Sequence, residues 1–163
     1  MPEQWVVNAS PLILLARVGR ADLLRDLPDR VVVPRAVAAE VNAGPVDDPA
    51  RHALARGQFQ IVDTPAPSGE ILAWNLGAGE TAVLSLAASE PNWMAILDDG
   101  AARKCARSFS VQIKGTLAVV IIARQRGLIA SAVDLIRALQ SVGYRIDNRL
   151  VREALSRTVG EIW

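Results

Sequence analysis

Short, mostly apolar segments alternate with longer stretches of helical periodicity along this chain. Five segments with buried or alternating apolar positions predict strands, at residues 5–7, 31–33, 58–62, 93–97 and 111–113. Stretches with apolar residues three and four apart predict helices at 10–18, 21–27, 34–44, 50–56, 80–88, 101–109, 116–127, 131–142 and 148–158. Residues 63–70 contain two prolines, a serine and a glycine, and predict a loop.

The repeated order of strand and helix predicts the architecture. Parallel strands need long crossover connections, and these are usually helical, so the alternation favours an α/β fold. Residues 31–33 and 95–97 are apolar throughout, as in strands covered on both faces, and we expect them to be neighbouring parallel strands. The prediction is a three-layer α/β/α sandwich with a central, mainly parallel sheet of four or five strands. We expect one domain over residues 1–163, with a helical C-terminal extension over about 131–163.

Composition excludes several protein classes and divides the chain electrostatically. With 51% hydrophobic and 21% charged residues, the chain is neither disordered nor collagen-like. It has one cysteine, no apolar run of membrane-spanning length and no signal-peptide pattern at the start, so we expect a cytoplasmic protein without a membrane partner. Residues 1–100 carry seven arginines and thirteen acids, whereas residues 101–163 carry eleven basic residues and four acids. This division favours an acidic site beside a basic surface, although solvated helix faces would also produce it.

Candidate functional residues follow the predicted strands. Ligands of open parallel sheets bind at the carboxyl ends of the strands. Asn8 follows the first strand, and Asp98 and Asp99 follow the fourth. Two helices each add one acid among small or apolar neighbours, Glu40 and Glu80. We expect these five residues to meet in one pocket.

Each of these acids also has a structural interpretation. Glu40 can be an exposed helix residue, and Glu80 in a first helical turn interacts favourably with the helix dipole. The pair Asp98 and Asp99 can cap the helix at residues 101–109. Two adjacent acids at the end of a buried strand are unusual enough that the functional interpretation is favoured for this pair.

Five short motifs, in order, carry a family resemblance. Together they resemble PIN-domain proteins, most closely the PIN-like branch of nucleic-acid-binding proteins related to VapC-type toxins, and the resemblance spans residues 5 to about 145. None of the motifs is specific alone, but their shared order and spacing are. The motifs are V-V-N-A-S-P-L-I at 6–13, V-P-x-A-V-x-x-E at 33–40, L-G-x-G-E at 76–80, L-D-D-x-x-A-R at 97–103 and G-T-L at 115–117.

The resemblance implies a ribonuclease that uses Mg²⁺ or Mn²⁺ held by a ring of acids. By motif, the metal and catalytic positions fall on Asn8, Glu40, Glu80 and either Asp98 or Asp99. The hydroxyls of Ser10 and Thr116 are expected near this cluster. The donor types suit the ion, because hard divalent cations prefer oxygen ligands. The resemblance also implies an RNA substrate and a small antitoxin protein encoded alongside, and it is compatible with a homodimer.

One departure from the family pattern leaves an alternative open. Asn8 stands where nucleases of this type usually carry aspartate, so the site has one negative charge fewer. A non-catalytic PIN-like module that binds nucleic acid or protein is therefore the alternative. A receiver-type phosphoacceptor would also use an Asp pair, Thr116 and Lys114, but its acids should follow the first strand, where Asn8 lies.

Overall fold

The computed structural model describes residues 2–163 and contains five strands and ten helices within them. The strands are β1 Gln4–Val7, β2 Arg30–Pro34, β3 Gln60–Val62, β4 Trp93–Ile96 and β5 Gln112–Lys114. The helices are α1 Ala9–Arg17, α2 Asp22–Asp26, α3 Arg35–Asn42, α4 Pro49–Ala55, α5 Gly69–Leu72, α6 Ala78–Ser89, α7 Gly100–Ser108, α8 Thr116–Gln125, α9 Ala132–Ser141 and α10 Asn148–Thr158. The short helix α5 begins inside the segment predicted to be a loop.

The strands form one parallel sheet in the order β3-β2-β1-β4-β5. Helices cover both faces of this sheet, so the predicted α/β/α sandwich is confirmed. The prediction that residues 31–33 and 95–97 pair directly is wrong, because β1 lies between β2 and β4. β1, β2 and β4 are all apolar enough for the centre of a sheet, so their sequences do not indicate which of them is central.

The core lies along the central strand. Trp5, Val6 and Val7 of β1 are fully buried, since the strand has a neighbour on each side and helices on both faces. Helix α6 packs against β1, β2 and β4 and also contacts α3 and α7. Among residues 2–163, no helix has both the length and the apolar character needed to cross a membrane.

Strand order creates a crevice at one point of the sheet edge. From β1 the chain proceeds to β2 and β3 on one side, and later to β4 and β5 on the other. The carboxyl ends of β1 and β4 therefore lie side by side where the winding direction changes, the place at which open parallel sheets bind ligands. The backbone N–H of Asn8 donates to the carbonyl of Ile96 over 3.1 Å and joins the two strand ends.

Candidate metal and nucleic-acid site

Asn8 is a buried polar residue at this edge. It precedes α1 as its N-cap residue, but its side chain makes no capping bond. Only 4% of the residue is exposed, and its Oδ1 atom is buried without a hydrogen-bond partner in residues 2–163. A buried polar atom without a partner is costly and rare in folded proteins. Asn8 therefore presents an acceptor that the surrounding protein does not satisfy.

Gly79, in the first turn of α6, brings Asn8 and Glu40 to the same spot. A Cβ atom at position 79 would lie 3.2 Å from Asn8 Oδ1 and 3.4 Å from Glu40 Oε1. The two oxygens therefore point at the same small gap, which a larger residue would fill. Glu40 reaches it from the last turn of α3, and its residue is otherwise exposed. Gly79 was not among the predicted site residues, although the Gly77-Ala78-Gly79 segment at the start of α6 was a visible signal.

Glu80 is the residue that links the acids electrostatically. Burial raises the pKa of its carboxyl above the ordinary value, and the carboxylates of Asp99 and Glu40 raise it further. The backbone N–H of Gly77, which donates to Glu80 Oε2 over 2.9 Å, and the amide of Asn8 act in the opposite direction. The structure thus brings Asn8, Glu40 and Asp99 close enough to Glu80 to affect the pKa of its carboxyl.

The adjacent acids Asp98 and Asp99 have different surroundings. Asp99 is exposed and caps α7, since its Oδ2 accepts the N–H of Ala102 over 2.9 Å, as the structural interpretation expected. It also acts on Glu80 through its charge. Both roles are compatible, because a carboxylate has two oxygens and the cap uses only one.

Asp98 is held by Thr116 through both of its carboxylate oxygens. Its Oδ1 accepts the backbone N–H of Thr116 over 2.8 Å, and its Oδ2 accepts the Thr116 hydroxyl over 2.6 Å. Thr116 is the first residue of α8 and is completely buried. Asp98 therefore ties β4 to α8, whereas Asp99 is the member of the pair that acts on Glu80. Ser10 lies in the first turn of α1 and is exposed.

The donor set limits which ion the site can hold. Within the described part of the chain, no group of three or more Asp, Glu, His or Cys side chains is arranged to bind a metal by itself. Mg²⁺ commonly takes one or two carboxylates and keeps several waters, so a complete protein cage is not needed. The unpartnered oxygen of Asn8 and the nearby Glu40 carboxylate fit that mode of binding. His52, the one histidine of the sequence, is exposed on α4.

Comparison with known proteins identifies the family. No curated protein matches the chain at a significant level. A family model described as PIN domain matches residues 4–160. This range includes all five strands and the residues Asn8, Glu40, Glu80, Asp98 and Asp99. PIN domains are generally nucleases that depend on a divalent metal and act on nucleic acid. Because the match covers nearly the entire chain, this protein belongs to the PIN-domain family.

Proposed function

We propose that this protein is a metal-dependent endoribonuclease that hydrolyses phosphodiester bonds of RNA with Mg²⁺ or Mn²⁺. The observation that carries the proposal is the buried, unpartnered oxygen of Asn8, which faces the same gap as the Glu40 carboxylate. An unsatisfied acceptor beside a carboxylate is a site prepared for a cation. Its place at the change of winding direction, next to Glu80 and Asp99, agrees with this role.

In this proposal, four side chains hold the metal ion and orient the attacking water. Asn8 and Glu40 would hold the metal, and Glu80 and Asp99 would hold its waters and orient the attacking one. The ion would polarise the scissile phosphate and neutralise charge that develops on it. Burial first, and then the carboxylates of Asp99 and Glu40, raise the pKa of Glu80, and a bound cation would offset that repulsion between like charges. Thr116 keeps Asp98 fixed, so that Asp99 in the same loop faces Glu80.

A cleavage assay on single-stranded RNA tests the proposal. Glu40→Gln, Glu80→Gln and Asp99→Asn should each lower Mn²⁺-dependent cleavage by about tenfold or more, because each removes a charge from the site. Glu70→Gln is the matched control, since Glu70 is exposed on α5 and outside this cluster. Cleavage by all four variants at the wild-type rate, or cleavage in excess EDTA, would contradict the proposal.

Asn8 also favours the second candidate, a PIN-like module that binds nucleic acid or protein without cutting. The amide lacks the charge of aspartate, and ligand charge is one determinant of affinity for hard cations. If RNA binds but stays intact with every divalent ion offered, the module is the correct function.

The proposal extends to the protein's setting in the cell. A ribonuclease of this family type would act in the cytoplasm as the toxin of a toxin–antitoxin pair, held inactive by a small partner protein. A homodimer is the expected assembly. Co-purification with the product of the adjacent reading frame tests the first point, and light scattering of the purified chain tests the second.

A further inference from the structure

A cavity opens at Asp98, the residue that precedes Asp99 of the acidic site. It has a volume of about 380 Å³ and lies between the loop after β4, the start of α8 and the segment that leads into α10. Cavities of a few hundred cubic ångströms are the usual size for small ligands. The residues that decide its character are Asp98, Arg103, Leu117, Tyr144, Arg145 and Leu150.

Two consecutive residues connect the cavity with the acidic cluster. Asp98 lines the cavity, whereas the next residue, Asp99, acts on Glu80. A ligand in the cavity would therefore contact the residue that precedes Asp99 of the acidic cluster. Neither Asn8 nor Glu40 lines the cavity, so it is separate from the site described above.

Two arginines give one side of the cavity a positive charge. Arg103 donates from Nη1 to the carbonyl of Leu97 over 3.1 Å and has no ion-pair partner in residues 2–163. Arg145 is exposed and likewise has no carboxylate partner in that range. The Asp98 carboxylate lines the same cavity, so the two arginines exceed the acids of the lining by one charge. An anion placed here would meet the exposed guanidinium of Arg145 and the N–H groups of Arg103 that Leu97 does not engage.

Apolar side chains also line the cavity. Leu150 on α10 is 52% exposed, and Leu117 on α8 is half-buried. Tyr144, which lines the same cavity, is buried, and burial together with the Asp98 carboxylate raises the pKa of its hydroxyl well above the ordinary range. The phenol therefore stays neutral. The lining therefore suits a ligand that has an apolar part as well as a negative group.

We infer that this cavity binds one nucleotide of a single-stranded RNA next to the scissile bond, with its base on Leu150 and a phosphate on Arg103 and Arg145. The inference rests on the proposed function and adds a specificity-determining position to it. A nucleotide combines an apolar base with an anionic phosphate, the two kinds of group that this lining can contact. Arg149 and Arg152, exposed on the helix that carries Leu150, are suited to the following phosphates.

Binding measured without cleavage tests the inference. The probe is a short fluorescein-labelled single-stranded RNA of mixed sequence, titrated in excess EDTA and followed by anisotropy. Arg145→Gln and Leu150→Ala should each weaken binding by about fivefold or more, and Arg145→Gln should also reduce the salt dependence by about one phosphate contact. The controls are Arg157→Gln, whose arginine pairs with Glu153 on α10, and Leu72→Ala on α5; both should bind within about twofold of wild type.

The outcomes separate this inference from the proposed function. If both cavity variants bind RNA as the wild type does, the inference is wrong, even if the protein cleaves RNA. If a glutamate-rich peptide competes for the cavity while RNA does not, the cavity binds a protein partner and the inference is also wrong. If the variants lose RNA binding but no RNA is ever cut, the cavity assignment stands and only the nuclease proposal fails.

Discussion

Thr116→Val removes one hydroxyl and leaves the shape of the buried side chain nearly unchanged. The lost bond is the 2.6 Å contact from the Thr116 hydroxyl to Asp98 Oδ2. Hydrogen bonds to a charged partner contribute about 1.5–3 kcal/mol, and no cavity is created, so we expect the free energy of unfolding to fall by that amount. For a chain of this length, each kcal/mol shifts Tm by about 2–4 °C, which gives a decrease of roughly 3–12 °C.

Urea denaturation measures this change most directly. The midpoint should fall while the m value stays constant, because the two proteins expose the same surface on unfolding. Thr158→Val is the matched control: its hydroxyl donates to the carbonyl of Ala154 on an exposed helix turn, and its removal should cost less than about 0.5 kcal/mol.

A double-mutant cycle decides whether Asp98 is the cause. In an Asp98→Ala background, Thr116→Val should cost much less than in the wild type, with a coupling energy above about 0.5 kcal/mol. An equal cost in both backgrounds would refute the reasoning, because it would show that Thr116 stabilises the protein without the carboxylate.

Two further predictions concern the glutamates whose pKa values are shifted. Burial opposes ionisation of Glu161, but the N–H groups of Ala132 and Val133 at 2.9 and 3.1 Å outweigh it and lower its pKa below 4.5. Glu161→Gln should therefore cost about 1–2 kcal/mol at pH 7, and the difference from wild type should shrink as pH falls below about 4.5; a constant difference down to pH 3 would contradict this. Glu80→Gln should leave the metal-free stability at pH 7 unchanged or slightly higher, since it relieves repulsion from neighbouring carboxylates while the amide oxygen still accepts the N–H of Gly77; a large loss in thermal melts would show that Glu80 is structural.

Local patterns predicted the fold class well and the order of the strands poorly. Continuous apolar runs mark β2 and β4 because both faces of those strands are covered by helices. Both faces of β1 are covered as well, so the sequence of each strand does not indicate which of the three is central. Helix α5 has only four residues, too few for a helical period to show within a proline-rich segment.

The sequence predicted which polar residues lie near this edge of the sheet, and their role as a metal site stays a prediction. Asn8, Glu40, Glu80 and Asp99 follow strand ends or begin or end helices at the predicted edge, which chain order and the family motifs indicate. Asp98 and Asp99 could not be separated by counting, because their roles depend on α8: its first residue, Thr116, binds Asp98 from 18 positions away. Gly79 leaves room for the side chains of Asn8 and Glu40 only because α6 packs against α3. This is a tertiary contact, and a local sequence motif does not predict it.

The most direct test of the central claim, that Asn8 lines a divalent metal site, is the shift in Tm that Mn²⁺ produces in Asn8→Asp and in the wild type. The added carboxylate should strengthen metal binding, so Tm should rise more steeply with Mn²⁺ in the variant, while in EDTA the variant should be less stable than wild type. Asn148→Asp, at the exposed start of α10, is the control and should respond as the wild type does. Equal Mn²⁺-induced shifts for Asn8→Asp and wild type would contradict the claim.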